Sequence, residues 1–253
     1  AIKVYGGGSG YYPIAPGVWR RSAGRVNGNT LVEITGGHIL TAVYGANELT
    51  DVLGNSTIKM SNGTIGIPRT YNDIISIPTT SHLFGSGLGD KRAYFNQWTN
   101  SDSTNVYITG GTVFGSVFGG GEDGHVLRNV CVTVKDSINE SNVISSPLIG
   151  TWGNTSLEGN VYGGGRGFSG SALTAGSVGG NTEVNIEGGT MLGSVYGGGS
   201  LASVGSYFVA LNDPNYGQLQ ENTGTVTHGY TTVNIIGGII GNVHETEPIG
   251  QHL

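Results

Sequence analysis

The chain has 253 residues, of which 48 are glycine, 36% are hydrophobic and only 11% are charged, and its net charge is −6. Glycine at this density, at about 1 kcal/mol per helix-interior residue relative to alanine, excludes a helical protein. The lack of a three-residue glycine period excludes collagen, and recurring Val/Ile/Tyr clusters argue against disorder. The negative charge gives no reason to expect nucleic acid or an anionic membrane as partner. No apolar run of about 18 residues predicts insertion into a membrane.

The first predicted element is Ile2-Lys-Val-Tyr-Gly-Gly-Gly8, which reads as the middle of a repeat. With no initiating Met, it suggests a processed protein or a piece of a longer one. After a variable stretch at 10–29 comes Val32-Glu-Ile-Thr-Gly-Gly-His-Ile-Leu-Thr-Ala-Val-Tyr-Gly45, and partial copies start at Ile58 and Leu83. The clearest unit is Val106-Tyr-Ile-Thr-Gly-Gly-Thr-Val-Phe-Gly-Ser-Val-Phe-Gly-Gly-Gly121. It returns 78 residues later as Val184-Asn-Ile-Glu-Gly-Gly-Thr-Met-Leu-Gly-Ser-Val-Tyr-Gly-Gly-Gly199, with partial copies at Val132, Val161 and Val233. Cys131, in the apolar run 129–134, is expected to be a small buried hydrophobe. A single cysteine gives neither an internal disulfide nor a Cys-based metal site.

The leading apolar residues (4, 32, 58, 83, 106, 132, 161, 184 and 233) recur about every 25 residues. That spacing predicts an all-β fold, a single-stranded parallel β-helix or β-solenoid of about ten coils with corner loops. At about 4.8 Å per coil the rod would be about 50 Å long. All 253 residues form one domain in this reading, and 244–253 form a C-terminal cap. Positions 4, 83, 161 and 243 suggest a larger unit of three coils. The leading column faces the core. The next column (Tyr5, Glu33, Lys59, Phe84, Tyr107, Thr133, Tyr162, Asn185, Asn234) faces out. Gly-Gly pairs such as Gly110-Gly111 supply positive φ at corners.

The V-x-I-x-G-G and V-Y-G-G-G motifs resemble glycine-rich repeats of large secreted or surface-anchored bacterial proteins. The resemblance implies a β-helical stalk or adhesin, located at the cell surface or outside the cell. Its expected partners are a surface glycan or protein, or a second copy joined end to end. End-to-end association fits the charge distribution: residues 1–135 carry 10 basic and 8 acidic groups, a net +2, whereas 136–253 carry 1 basic and 9 acidic, a net −8.

No cofactor and no catalytic site are expected. The nearest approach to one is Asp90, Lys91 and Arg92 after one glycine run and Glu122 and Asp123, with His125 and Arg128, after the next. Such carboxylate and base clusters serve polysaccharide-degrading enzymes, whether lyases or glycosidases, which is the alternative function. Read otherwise, they are solvated charged loops. Asp90, ending Gly85-Ser-Gly-Leu-Gly-Asp90, is the one Ca²⁺ candidate, but the motif occurs once. The six histidines lack zinc spacing. Binding is assigned to the aromatics Tyr5, Phe84, Tyr107 and Tyr162 in one column and Tyr44, Phe118 and Tyr196 in another. Either these rings offer flat faces to sugars, or corner loops fold over them as a satellite core. Ice or mineral binding would need regular Thr ladders, which the columns do not show.

Overall fold

Short β-branched runs interrupted by glycine form strands and nothing else in the computed structural model. It describes residues 3–10, 15, 16, 18, 20, 22–69, 81–90, 99–139, 142–151, 158–167, 175–205, 207–208, 219–220 and 228–241. Among these residues there is no helix. The strands, in chain order, are β1 (Val4–Tyr5), β2 (Thr30–Ile39), β3 (Val43–Tyr44), β4 (Ser56–Ile65), β5 (Leu83–Phe84), β6 (Asn100–Ser101), β7 (Thr104–Ile108), β8 (Thr112–Val113), β9 (Val117–Phe118) and β10 (His125–Val126). They continue with β11 (Val130–Lys135), β12 (Ser137–Asn139), β13 (Asn142–Ser145), β14 (Leu148–Ile149), β15 (Val161–Tyr162), β16 (Thr182–Met191), β17 (Val195–Tyr196), β18 (Tyr207–Phe208), β19 (Leu219–Gln220) and β20 (Thr231–Ile240). Apart from the antiparallel pairs β12–β13 and β18–β19, every pairing between strands is parallel.

Three ladders organise the molecule. One sheet runs β1-β3-β5-β9-β15-β17, aligning Val4, Val43, Leu83, Val117, Val161 and Val195. A second ladder aligns Val32, Ile58, Val106, Val132, Val184 and Val233 through β2, β4, β7, β11, β16 and β20. The far halves of the long strands join β8 and β14 in a third, aligning Ile65, Val113, Ile149 and Met191 between Ile39 and Ile240. Because β4 and β16 are long enough to take part in both of the last two, the pairings close into a six-strand parallel ring, β4-β7-β11-β16-β14-β8. A fourth line of pairing, through β6–β10 and bridges at Val26, Val52, Val126, Val178 and Val204, completes the wall.

These sheets overturn the expected single-stranded parallel β-helix of about ten coils. The apparent column of nine residues belongs to two different sheets: Val4, Leu83 and Val161 lie in the first, the other six in the second. Interleaving them produced the apparent 25-residue period. Within the first sheet, successive rungs stand 34 to 44 residues apart and make six levels. The 78-residue repeat, from Val106 to Val184, accordingly spans two levels and not three. The expected cap at 244–253 lies outside the described residues, as do parts of the variable inserts.

Two glycine roles set this geometry. Gly111 and Gly189, the second members of their pairs, turn the chain at φ +83° and +82°, a region that costs a β-branched residue dearly. Gly119 and Gly163, after the Val-aromatic strands, answer a different need. A Cβ there would fall 2.5 and 2.2 Å from the carbonyl oxygens of Gly163 and Gly197 on the next level. Only glycine lets neighbouring levels of the first sheet lie this close, and a Cβ on Gly119 would also meet Val130 Cγ1 of the second ladder at 2.3 Å. Hydroxyls then tie the two sheets together: Thr30, Ser56, Thr104 and Thr182 donate to the carbonyls of Gly45, Gly85, Gly119 and Gly197 at 2.5–2.7 Å. Between the sheets the aliphatic rows are fully buried, with Ile58, Val106, Val132, Val184 and Ile186 at 0% exposure. Each such side chain contributes about 1.5–3 kcal/mol of burial.

Candidate binding face and the buried aromatic stack

The residue after each first-sheet valine or leucine points away from the aliphatic core. Tyr5, Tyr44, Phe84, Phe118, Tyr162 and Tyr196 therefore line up on consecutive levels. Their ring centroids are 4.7–5.0 Å apart and their planes within 15°. The parallel strand spacing imposes this face-to-face column. Two columns expected from the sequence are thus alternate levels of one stack, and the expectation that Tyr5, Phe84 and Tyr162 share the outward face of Tyr107 is corrected. The four inner strands of the stack bury both faces: Tyr44, Phe84, Phe118 and Tyr162 form a second hydrophobic cluster with Ala42 and Leu88. His82, itself buried, sets its ring edge against Phe84 and Phe118, and its Nδ1 accepts the Ser116 N–H at 2.9 Å.

Carboxylates hold the phenol ends. Tyr44 donates to Glu122, whose other oxygen takes Arg166 at 3.1 Å, and Tyr5 reaches Glu48 at 3.5 Å. Lys3 Nζ lies 5.4 Å from the centre of the Tyr44 ring, within cation–π range. Burial pushes the Tyr44 hydroxyl far above the usual phenol range, with the Glu122 charge adding to it. Tyr5 moves the same way, through burial first and then the Glu48 and Glu122 charges. A phenol held neutral beside a carboxylate is a permanent hydrogen-bond donor.

The charged candidates are dispersed among structural tasks. The Asp123 N–H donates to Leu88 O at 2.7 Å, which sets Asp123 on the level next to the turn ending in Asp90. Lys91 and Arg92 lie outside the described residues. Glu122 is engaged by Tyr44 and Arg166. His125 is wholly buried and its Nδ1 accepts the Ser177 N–H, while Arg128 pairs with Asp102 at 3.0 Å on the surface. No group of three or more His, Cys, Asp or Glu suited to a metal occurs among the described residues. Sequence reasoning missed His82 and a corner ladder in which the side-chain oxygens of Asn29, Ser103, Asn129 and Asn181 accept the N–H of Asn55, Asn129, Asn181 and Tyr230 one level on. The recurring Asn or Ser just before every strand of the second ladder except the last was the available signal.

What remains exposed is the outer face of the second ladder. Its central row is Glu33, Lys59, Tyr107, Thr133, Asn185 and Asn234. At one end a groove of about 380 Å³ is lined by Glu33, Thr35, Lys59, Ser61, Tyr107 and Thr109. Lys59 and Glu33 stand 3.9 Å apart, both more than half exposed, and Tyr107 is 39% exposed. At the other end Asn234 donates to Asn185 Oδ1 at 2.8 Å, and Asn185 to Glu183 at 3.1 Å. Cys131 belongs to this outer face, half-buried, because Val130, Val132 and Val134 take the inward positions. The expectation of a buried cysteine is corrected accordingly. Burial raises its thiol pKa and the nearby Glu183 charge adds to this, while hydrogen bonds with Thr133 and Asn185 oppose it.

No family model, no curated protein and no solved structure matches this chain. Among the described residues no helix is long and apolar enough to cross a membrane.

Proposed function

We propose that the chain is a non-enzymatic structural and adhesive segment that presents a glycan-binding face, and that it works at a bacterial cell surface or in a secreted fibre. The observation that carries this reading is the groove around Tyr107. It combines an accessible aromatic face for a sugar ring with a carboxylate, an ammonium and three hydroxyl side chains for sugar hydroxyls. The likeness of the glycine-rich repeats to bacterial surface proteins supports the location. Of the carboxylates on which a polysaccharide-degrading enzyme would lean, Asp90, Glu122 and Asp123, Glu122 already serves Tyr44 and Arg166.

A glycan array followed by calorimetry on its hits tests the proposal. Binding should weaken about tenfold in Tyr107→Ala, the loss of one stacking contact worth about 1.4 kcal/mol, with the fold unchanged by circular dichroism. An array without hits, or hits indifferent to Tyr107→Ala and Lys59→Ala, would refute it.

A further inference from the structure

We propose that the two ends of the stack bind one another, so that β20 of one copy pairs in parallel with β2 of a second copy of this chain. The inference is independent of the glycan reading, since it rests on the uncovered end of the ladders and not on sugar contacts at Tyr107.

Among the described residues, the last level is built like an interior one but left uncovered. Val184, Ile186 and Met191 of β16 are all at 0% exposure, whereas their partners Val233, Ile235 and Ile240 of β20 are at 39%, 61% and 38%. An apolar strand with a free edge invites another strand. The first level supplies a matching one: Thr30-Leu-Val-Glu-Ile34 and Thr231-Thr-Val-Asn-Ile235 share the pattern T-x-V-x-I. Continuing the ladder register sets Thr231 beside Thr30, Val233 beside Val32 and Ile235 beside Ile34. Asn234 then faces Glu33 directly across the pair, as it faces Asn185 within the chain, where its amide donates to Asn185 Oδ1 at 2.8 Å and reaches the diagonal Glu183 at 3.4 Å.

The aromatic stack meets the same requirement at both ends. Tyr196 closes it, 44% exposed, and Tyr5 opens it, each inside a Val-Tyr-Gly-Gly-Gly rung. A second copy would place Tyr5 on Tyr196 at the spacing already found between neighbouring rings. Val32 and Ile34 are already screened within their own chain, so the apolar gain comes from β20. Charge selects the arrangement: a half with net +2 meets a half with net −8 head to tail, whereas tail to tail would bring two negative halves together.

Sedimentation velocity of the full chain over a wide micromolar range at low salt should show mass growing by whole copies. Ile235→Lys should abolish the growth. A monomer at every concentration, or growth indifferent to Ile235→Lys, overturns the proposal. Two exposed-site variants in a Cys131→Ser background provide a readout that does not perturb the core. Glu33→Cys mixed with Asn234→Cys should form a disulfide-linked dimer under mild oxidation, several-fold more than either alone. Preferential cross-linking of Asn234→Cys with itself would mean tail-to-tail pairing and would equally overturn it, as would a chain end that folds back and leaves both thiols unlinked.

Discussion

β16 and β20 are near copies, TEVNIEGGTM and TTVNIIGGII, paired in parallel along most of their length. Yet β16 buries every inward side chain and β20 leaves nearly all of its own exposed. The same residues are core in one place and surface in the other because burial here is supplied by the level beyond, not by the strand. A residue's contribution should therefore depend on its level more than on its identity. Pairs of equivalent substitutions, measured in dilute solution, test that statement directly.

The largest contrast is expected in the aromatic stack. Phe118→Ala, removing a buried ring from between Phe84 and Tyr162, should cost about 3–5 kcal/mol of unfolding free energy, whereas Tyr196→Ala at the open end should cost about 1 kcal/mol. Urea denaturation measures both, and equal losses would break the comparison. Next come the aliphatic rows, where Ile186→Ala should cost about 2–4 kcal/mol and Ile235→Ala less than about 1 kcal/mol. If Ile235→Ala matches Ile186→Ala only at concentrations where copies associate, the last level has acquired its cover from a neighbour. The third pair concerns glycine. A Cβ on Gly164 would lie 2.7 Å from the Gly199 nitrogen, while one on Gly198 meets nothing within 4 Å. Gly164→Ala should therefore lower stability by about 1–3 kcal/mol, and Gly198→Ala should shift the melting temperature by no more than its own scatter.

The last effect is one of pH. Burial, with a smaller contribution from Tyr196 and against a hydrogen bond with Ser200, pushes the Tyr162 hydroxyl up to about 12. An unfolded tyrosine titrates near 10. The neutral phenol's stabilising contribution is thus fully present below about pH 10 and is lost as pH climbs from there to about 12. Thermal melts across that window should show a decline to which Tyr5 and Tyr44 also contribute, and Tyr162→Phe should make it shallower. A variant with an unchanged slope would show that the ring is not held as described.

Much of this was legible in the chain. Period-two alternation placed Val106, Ile108, Val132, Val134, Val184 and Ile186 inward, and Gly37, Gly111, Gly189 and Gly238, second in their pairs, carry the expected positive φ. The failure was in counting sheets. A two-residue Val-Tyr strand and the start of a Val-x-Ile strand look alike over two letters, so rungs of different walls were read as one column. The inserts between levels then hid the error, since gaps along the second ladder vary from 26 to 52 residues. For the candidate site, the sequence singled out the aromatics and left open whether they were exposed or covered as a satellite core; Tyr44, Phe84, Phe118 and Tyr162 are buried in a second cluster, whereas Tyr107 is accessible. Tyr107 alternates with Val106 and Ile108 on a wall with one wet face, whereas Tyr44 and Phe118 sit in a wall with none.

One further property follows from the direction of the bonds between levels. Links such as Val43 N–H to His82 O and Val117 N–H to Asn160 O run across the strands, from each level to the next. Tension applied along the stack would load these interfaces in series, each bearing the whole force, and the weakest would part first. Every interface that yields would release the 34 to 44 residues of one level, roughly 110–160 Å of extended chain. Under load the molecule would lengthen in discrete steps, absorbing work at each one, while a force across the strands would meet all six levels at once.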